Sequence, residues 1–257
     1  MTMTTQMDMS AQLGQLLGDA HARKGAQAQV PAELNAPDNA AAYRAQAAFL
    51  QRHRLDIGGW KIGAKSEDGL IQGAPLPRQG IHASTALLTR SDFPVFGIEL
   101  EIMFRFGRDF LPDAARVSDD EVLASIAGIA ASIEIVSSRL AGWPDVPKPN
   151  QLADLQNHGA LVAGEFVPYR DDIDVRSPQA CLVLDGQVIF DGAGSNPAGD
   201  PRRLLPWLVR HCREQKIALP AGTVVTAGSY TGMVFPEALG RVTGTIAGLP
   251  GVELEIT

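Results

Sequence analysis

Two glutamates one residue apart, Glu99 and Glu101, are the side chains in this sequence whose type and spacing point most directly to chemistry. From Phe96 to Phe106 the pattern alternates. Ile98, Leu100, Ile102, Phe104 and Phe106 fall on one side, and Glu99, Glu101, Met103 and Arg105 on the other. That period of two is a strand, so both carboxylates project from one face. Like charges so close repel, and the pair faces water, shares a proton or holds a cation. A solvated strand face is the commoner fate of such a pair. Met103 on the carboxylate side is out of keeping with that fate, and a divalent cation would remove the repulsion.

Glu134 belongs to a second predicted strand, Ile129 to Ser137, that is apolar on both faces: Ile129, Ala131, Ile133 and Ile135 on one, Ala130, Ser132 and Val136 beside Glu134 on the other. Such a strand is buried, and a carboxylate within it requires a partner. Either it joins Glu99 and Glu101 on a metal, or it forms a buried ion pair with Arg139 or Arg105. Three carboxylates with no Cys or His select a hard ion, Mg²⁺ or Mn²⁺, of about six oxygen ligands, which leaves positions for substrate and water. Lys61, in the strand GGWKIGA, has Trp60 and Ile62 on the opposite face. It faces either the site, where a dry pocket would lower its pKa and make it a base, or the solvent at a strand edge. GSYTG, Gly228 to Gly232, ends a strand. Its small residues and the hydroxyls of Ser229 and Thr231 suit close approach to a substrate carboxylate, or form a plain turn. His21, His53, His82, His158 and His211 show no ligand spacing, and no P-loop, GxGxxG or Ser-His-Asp order occurs.

The elements that must position these residues can be read around them. The chain of 257 residues is 45% hydrophobic and 20% charged, ordinary for a globular protein, with a formal charge of -7 that disfavours nucleic acid as a partner. Cys181 and Cys212 form neither a disulfide framework nor a zinc spacing and fit a reducing cytoplasm. The start, MTMTTQMDMS, lacks the basic and apolar regions of a signal peptide, and no apolar run is long enough for a membrane span. Helices are predicted over Ser10 to Arg23 and, capped by Asp38, over Asn39 to His53. A strand follows over Trp60 to Ala64, then a short helix and a Pro/Gly-rich loop over Ser66 to Arg78. Ser118 and Glu121 form a capping box, Asp185-Gly186 a hairpin turn, and Asp200-Pro201 opens a helix to about Gln215 that Pro206 would kink. Strands over Thr223 to Gly228, Arg241 to Ala247 and Val252 to Ile256 close the chain. The expectation is an α+β protein with a small N-terminal helical/α+β lobe, residues 1–80, and a β-rich catalytic domain, residues 81–257.

Taken in order, GGWKIGAKS, FGIELEIMFRFGRDF, ASIEIVSSRLAGW, LADLQNHGALVAGE, DPRRLLPWLVRH and LPAGTVVTAGSYTG resemble the fumarylacetoacetate hydrolase superfamily, and within it the 2-oxopent-4-enoate hydratase and 4-oxalocrotonate decarboxylase group. The resemblance implies a mixed β-sandwich roll, usually oligomeric, as a homo-oligomer or a complex of related hydratase and decarboxylase chains. It implies Glu99, Glu101 and Glu134 as metal ligands, Lys61 and Glu101 as the catalytic pair, and Asp154 and Asn157 as further substrate contacts. A small 2-oxo acid would chelate the ion through its carboxylate and keto oxygens. Hydration of a 2-hydroxydienoate from aromatic-compound catabolism, decarboxylation and carbon–carbon hydrolysis share that grip, and a non-catalytic partner subunit would retain the fold. One departure bears on the choice. Hydratases of this group carry an Asp-containing segment after the short helix, whereas GAPLPRQGIHASTALL has no acidic residue between Asp68 and Asp92. His82 either substitutes for it or is a loop histidine. Leu155 also stands where ADN is the usual run.

Overall fold

The computed structural model describes residues 8–257. Most of the segment behind the signal-peptide expectation lies outside the described residues. The centre of the molecule is an antiparallel pair, β5 (Gly97–Phe106) and β6 (Ile126–Val136). Around it β1 (Ile57–Gly63), β2 (Gln72–Pro77), β3 (Ile81–Ala83), β7 (His158–Ala163) and β11 (Val224–Ser229) build one sheet in the order β2-β1-β11-β5-β6-β7-β3, with β8 (Val167–Pro168) beside β6. β1/β11 and β3/β7 are parallel and the other pairs antiparallel, so the sheet is mixed.

Its two edge strands, β2 and β3, are joined only by the turn Arg78–Gly80. Three residues span about 10 Å at most, so the sheet must curl until its edges meet. Ile81 of β3 accordingly lies against the Gly58-Gly59 backbone of β1, where a Cβ on Gly59 would sit 3.2 Å from its Cδ1. Residue 80, the boundary expected between the lobes, is the last residue of this turn.

Curling divides the side chains by strand alternation. Ile98, Leu100, Ile102 and Phe104 point outward and are fully buried. They meet a second sheet of β10 (Gln187–Ala193), β9 (Gln179–Leu184), β12 (Gly240–Ile246), β13 (Val252–Ile256) and β4 (Ala86–Leu88) in that order, and a helix, α5 (Leu204–Glu214). Gly244 of β12 is required there, because a Cβ would lie 2.5 Å from Leu100 Cδ1. Met103, Leu76 and Leu161 line the concave face. By the same alternation Lys61, Glu99, Glu101 and Glu134 share it. Part of that face is covered by α1 (Met9–Ala22), α2 (Asn39–Arg52) and α4 (Lys148–Ala153), whose core includes Leu13, Phe49 and Leu155 and reaches Ala74 of β2. Gly14 lets α1 and α2 touch, since a Cβ on it would lie 2.1 Å from Ala45 O.

The α+β roll matches the sequence expectation, as do the Asp38 cap, the Ser118–Glu121 capping box on α3 (Asp119–Leu123) and the hairpin at Asp185-Gly186. The short helix expected within residues 66–78 is not formed. Gln72–Pro77 is a strand, and its prolines are tolerated because an edge strand needs hydrogen bonds on one side only. Pro206 falls in the first turn of α5, where its missing N–H leaves no intrahelical acceptor unpaired. α4 and β7 were not foreseen. Cys181 and Cys212 are free thiols, and no described helix is long and apolar enough to cross a membrane.

Candidate metal centre

The register of β5 against β6 sets Glu99 directly opposite Glu134, and Glu101 opposite Ser132. One oxygen from each of Glu99, Glu101 and Glu134 lies within 4.8 Å of the others. Glu134 is fully buried and Glu101 is 2% exposed, so the solvated alternative does not apply to them. β11 completes the wall. Its Thr226 is in register with Lys61 of β1, and after a bulge its Ser229 is in register with Glu101. Within the bulge Gly228 has φ +92, a conformation that favours glycine, and its N–H donates to Glu101 Oε2 at 3.3 Å. The Thr226 hydroxyl donates to the same oxygen.

Neither arginine considered for Glu134 reaches it. Arg139 pairs with Asp154 at 2.5 Å, and Arg105 stacks 4.6 Å over the Phe166 ring. Lys61 Nζ instead donates to Glu134 Oε1 at 2.6 Å and to the Gln156 carbonyl at 3.2 Å. His158 Nδ1 lies 3.2 Å from the same Oε1. Burial holds His158 well below the ordinary histidine value, so the ring beside Glu134 is neutral. Glu134 Oε2 is buried with no hydrogen-bond partner.

The charges are poorly balanced within the protein. Burial first, and the neighbouring carboxylates second, push Glu99 up to about 8 and Glu101 up to about 7. Glu134 is raised by burial, against the opposing pull of Lys61. For Lys61 burial alone would lower the pKa, but Glu134, Glu101 and Glu99 outweigh it and hold the ammonium above the ordinary lysine value. Without a metal ion, Lys61 is therefore held as the ammonium between these carboxylates, and not lowered as expected. Three converging carboxylates, one of them with an orphaned buried oxygen, and a single lysine to balance them fit a hard divalent cation that the carboxylates would hold.

Leu155, Gln156 and Asn157 lie opposite the cluster with φ of 51, 53 and 59. Consecutive left-handed residues cost about 1–2 kcal/mol each. Such strain persists only where the surroundings impose it. Asp154 supplies much of that constraint. It is fully buried and accepts from Arg139 Nε at 2.5 Å, Arg139 N at 2.8 Å and Ser138 Oγ at 3.1 Å, while Arg139 Nη1 donates to His158 O at 2.7 Å. Asp154 therefore stands behind the turn, in contrast to the expected substrate contact. Gln156 and Asn157 line the cleft, each with a buried side-chain oxygen that has no partner.

That cleft, about 490 Å³, is lined also by Lys61, Glu99, Lys148 and Gln151 and by the apolar Val136, Trp143, Pro144, Met233 and Phe235. The Trp143 and Phe235 rings on its wall pack together with centroids 5.7 Å apart. Ser229 and Thr231 are not brought into it. Both hydroxyls donate to Gly232 O at 3.2 Å and brace the loop after β11. His82 lines a separate pocket with His21. Sequence reasoning missed Thr226, Gln156, His158, Trp143 and Lys148. Thr226 could have been found from the alternation of Thr223 to Gly228, but nothing local announces that β7 pairs with β6 and carries His158 to Glu134.

A family model described as fumarylacetoacetate (FAA) hydrolase C-terminal matches residues 20–256. A 2-keto-4-pentenoate hydratase of Paraburkholderia phymatum is 29% identical over 155 residues, 60% of this chain and 58% of that protein. One from Paraburkholderia xenovorans is 30% identical over 137 residues, 53% of this chain and 50% of the relative, so the chain matches only half to three-fifths of these hydratases' length. A 4-oxalocrotonate decarboxylase of a Pseudomonas species is 26% identical over 206 residues, 74% of this chain and 77% of that one. Among solved structures, the 4-oxalocrotonate decarboxylase from Pseudomonas putida G7 complexed with magnesium and adipate superposes with TM-score 0.83 at 20% identity, covering 96% of this chain and 97% of that one. The fumarylpyruvate hydrolase from Pseudomonas aeruginosa in complex with Mn²⁺ and pyruvate does so with TM-score 0.58 at 16% identity, covering 77% and 88%.

Proposed function

The chain belongs to the fumarylacetoacetate hydrolase C-terminal family, and from that premise we propose that it is a metal-dependent hydro-lyase adding water to an unsaturated 2-oxo acid such as 2-oxopent-4-enoate. The observation that carries this reading is the convergence of Glu99, Glu101 and Glu134 within 4.8 Å beside the Lys61 ammonium. Glu99, Glu101 and Glu134 would hold Mg²⁺ or Mn²⁺, which when bound supplies Lewis acidity toward the carboxylate and keto oxygens of a 2-oxo acid. The relatives solved with magnesium or with Mn²⁺ support a divalent ion here.

The protein's own groups divide the remaining work. Lys61 Nζ, kept protonated by Glu134, delivers a proton to the substrate carbon chain. Glu101, with Oε2 fixed by Thr226 and Gly228, would take the proton that the added water loses as its hydroxyl bonds to the substrate carbon. Gln156 and Asn157 offer amides to the substrate's polar head, and Trp143, Met233 and Phe235 enclose its hydrocarbon tail and exclude bulk water. The hydratase relatives at 29% and 30% identity support hydration as the reaction.

Decarboxylation is the second reading. The longer alignment, 206 residues, and the superposition at TM-score 0.83 are both with decarboxylases. We also propose assembly as a homo-oligomer or with a related chain, which exposed Met233 and Phe235 on the cleft and exposed Leu239 nearby in sequence support. The deciding experiment follows ultraviolet loss of a 2-hydroxydienoate with Mg²⁺, alongside carbon dioxide release from a 2-oxo dioic acid. Mg²⁺-dependent turnover abolished in Glu101→Gln fits the proposal. Carbon dioxide release without hydration favours the second reading, and no turnover in either assay contradicts both.

A further inference from the structure

A second pocket, of about 360 Å³, shares no lining residue with the cleft. The end of α1, the Arg78–Gly80 turn and the start of β7 contribute to its walls, and none of Lys61, Glu99, Glu101 and Glu134 does. Its size suits a small molecule. Ala20, Leu88, Phe93 and Ala160 give it a buried apolar surface. Ser137 and Arg139 line it too, 3% and 6% exposed. The Ser137 hydroxyl is buried with no hydrogen-bond partner, an arrangement that costs free energy unless something in the pocket meets it. His21 packs its ring on Phe49, with centroids 5.3 Å apart, yet neither its nitrogens nor those of His82 hydrogen-bond to any described residue.

The lining favours an anion. A cation would meet one carboxylate, Asp92, which Lys24 already holds at 2.5 Å. The histidines add no metal site, because the described residues bring together one group of three possible metal ligands, the glutamates. An anion would meet donors instead. Arg139 gives one N–H each from Nε, Nη1 and Nη2 to Asp154 and the His158 carbonyl, which leaves two of its five. Burial first, and then the charge of Arg139, take His21 down to about 3, so its ring is neutral and offers an N–H. A bare inorganic ion would leave the apolar wall of Leu88 and Phe93 uncovered, whereas a short hydrocarbon tail would cover it. We propose that this pocket is a second ligand site that takes a small aliphatic carboxylate, with the Ser137 hydroxyl and the N–H groups of His21, His82 and Arg139 as its donors. The inference stands apart from the hydro-lyase reading, because no glutamate or lysine of the metal centre lines the pocket.

The test is an NMR titration of the purified chain, with and without Mg²⁺, that follows the ring signals of His21 and His82 as butyrate, butyramide or butylammonium is added. Butyrate is expected to shift both signals to saturation with the same affinity in either condition. It should bind about tenfold more tightly than butyramide, the scale by which charge strengthens a hydrogen bond. Butylammonium should leave the signals in place. Ser137→Ala removes a single buried oxygen and should weaken butyrate about fivefold while keeping the fold, which thermal melting checks. Lys24→Met, on an exposed side chain, leaves Asp92 unpaired and should weaken butyrate about threefold, less so in added salt. Signals that butyrate does not move, equal affinities for butyrate and butyramide, binding that needs Mg²⁺, or affinities unchanged in both variants overturn the inference.

Discussion

Lys61 reaches one oxygen of Glu134 at 2.6 Å and leaves the other buried and without a partner. A buried ion pair built for stability would satisfy both oxygens, because an uncompensated lone pair in the interior costs free energy. Glu134 is instead half paired, and its free oxygen belongs to the residue whose carboxylate converges with those of Glu99 and Glu101. Lys61 thus stabilises the cluster only in part and leaves room for a cation.

Replacing that lysine tests the idea. Lys61→Met removes the one cation that, among the described residues, pairs with the three carboxylates, and breaking a buried pair in this way costs about 3–5 kcal/mol. The variant should melt well below the wild type without metal and recover most of the loss in saturating Mg²⁺. Its turnover should fall at least about a hundredfold, the lower range for loss of a general acid. Differential scanning calorimetry with and without Mg²⁺ reads the first effect; a melting temperature unchanged in metal-free buffer would argue against it.

The pH dependence of the metal-free protein has a definite sign. Glu99 and Glu101 are raised to about 8 and about 7 in the fold, from 4.5 when unfolded. A raised carboxylate binds its proton more tightly when folded, so its contribution is full below pH 4.5 and is lost as pH rises through the folded values. Metal-free stability should therefore decline from about pH 5 to pH 8, and Glu99→Gln should flatten the decline. Mg²⁺ must displace those protons, so its affinity should rise over the same interval. Denaturant melts and Mg²⁺ titrations at a series of pH values check both trends.

The left-handed turn over Leu155, Gln156 and Asn157 predicts two opposite outcomes. Gln156→Gly relieves φ strain and should leave stability unchanged or higher by at most about 1 kcal/mol, while the lost amide raises KM for substrate. Asp154→Asn unpairs the buried Arg139 and should destabilise by about 3 kcal/mol or more. Equilibrium unfolding paired with steady-state kinetics separates them; equal destabilisation by both would mean that Asp154 does not impose the turn.

Much of this site is legible in the sequence because it depends on alternation. Glu99, Glu101 and Glu134 share a face by strand period alone, and Lys61 sits opposite Trp60 and Ile62 for the same reason. The convergence of those strands is not local information. Lys61 meets Glu134 because β1 joins β11 and β11 joins β5, pairings between segments far apart in the chain. Gln156 and Lys148 arrive on a left-handed turn and a short helix after Pro147 that periodicity does not mark, and His158 on the unforeseen β7. Asp154 illustrates the converse: its motif is visible, but only the structure shows Arg139 enclosing it.

The measurement that bears most directly on the central claim is Mn²⁺ and Mg²⁺ titration of the purified chain by calorimetry, beside Glu99→Gln, Glu101→Gln and Glu134→Gln variants shown to be folded by circular dichroism. One ion per chain is expected to bind the wild type, with affinity reduced at least about a hundredfold in each variant, as loss of a metal-bound charge entails. Wild-type binding that is absent, or that survives all three substitutions unchanged, would contradict the assignment of these glutamates as a metal centre.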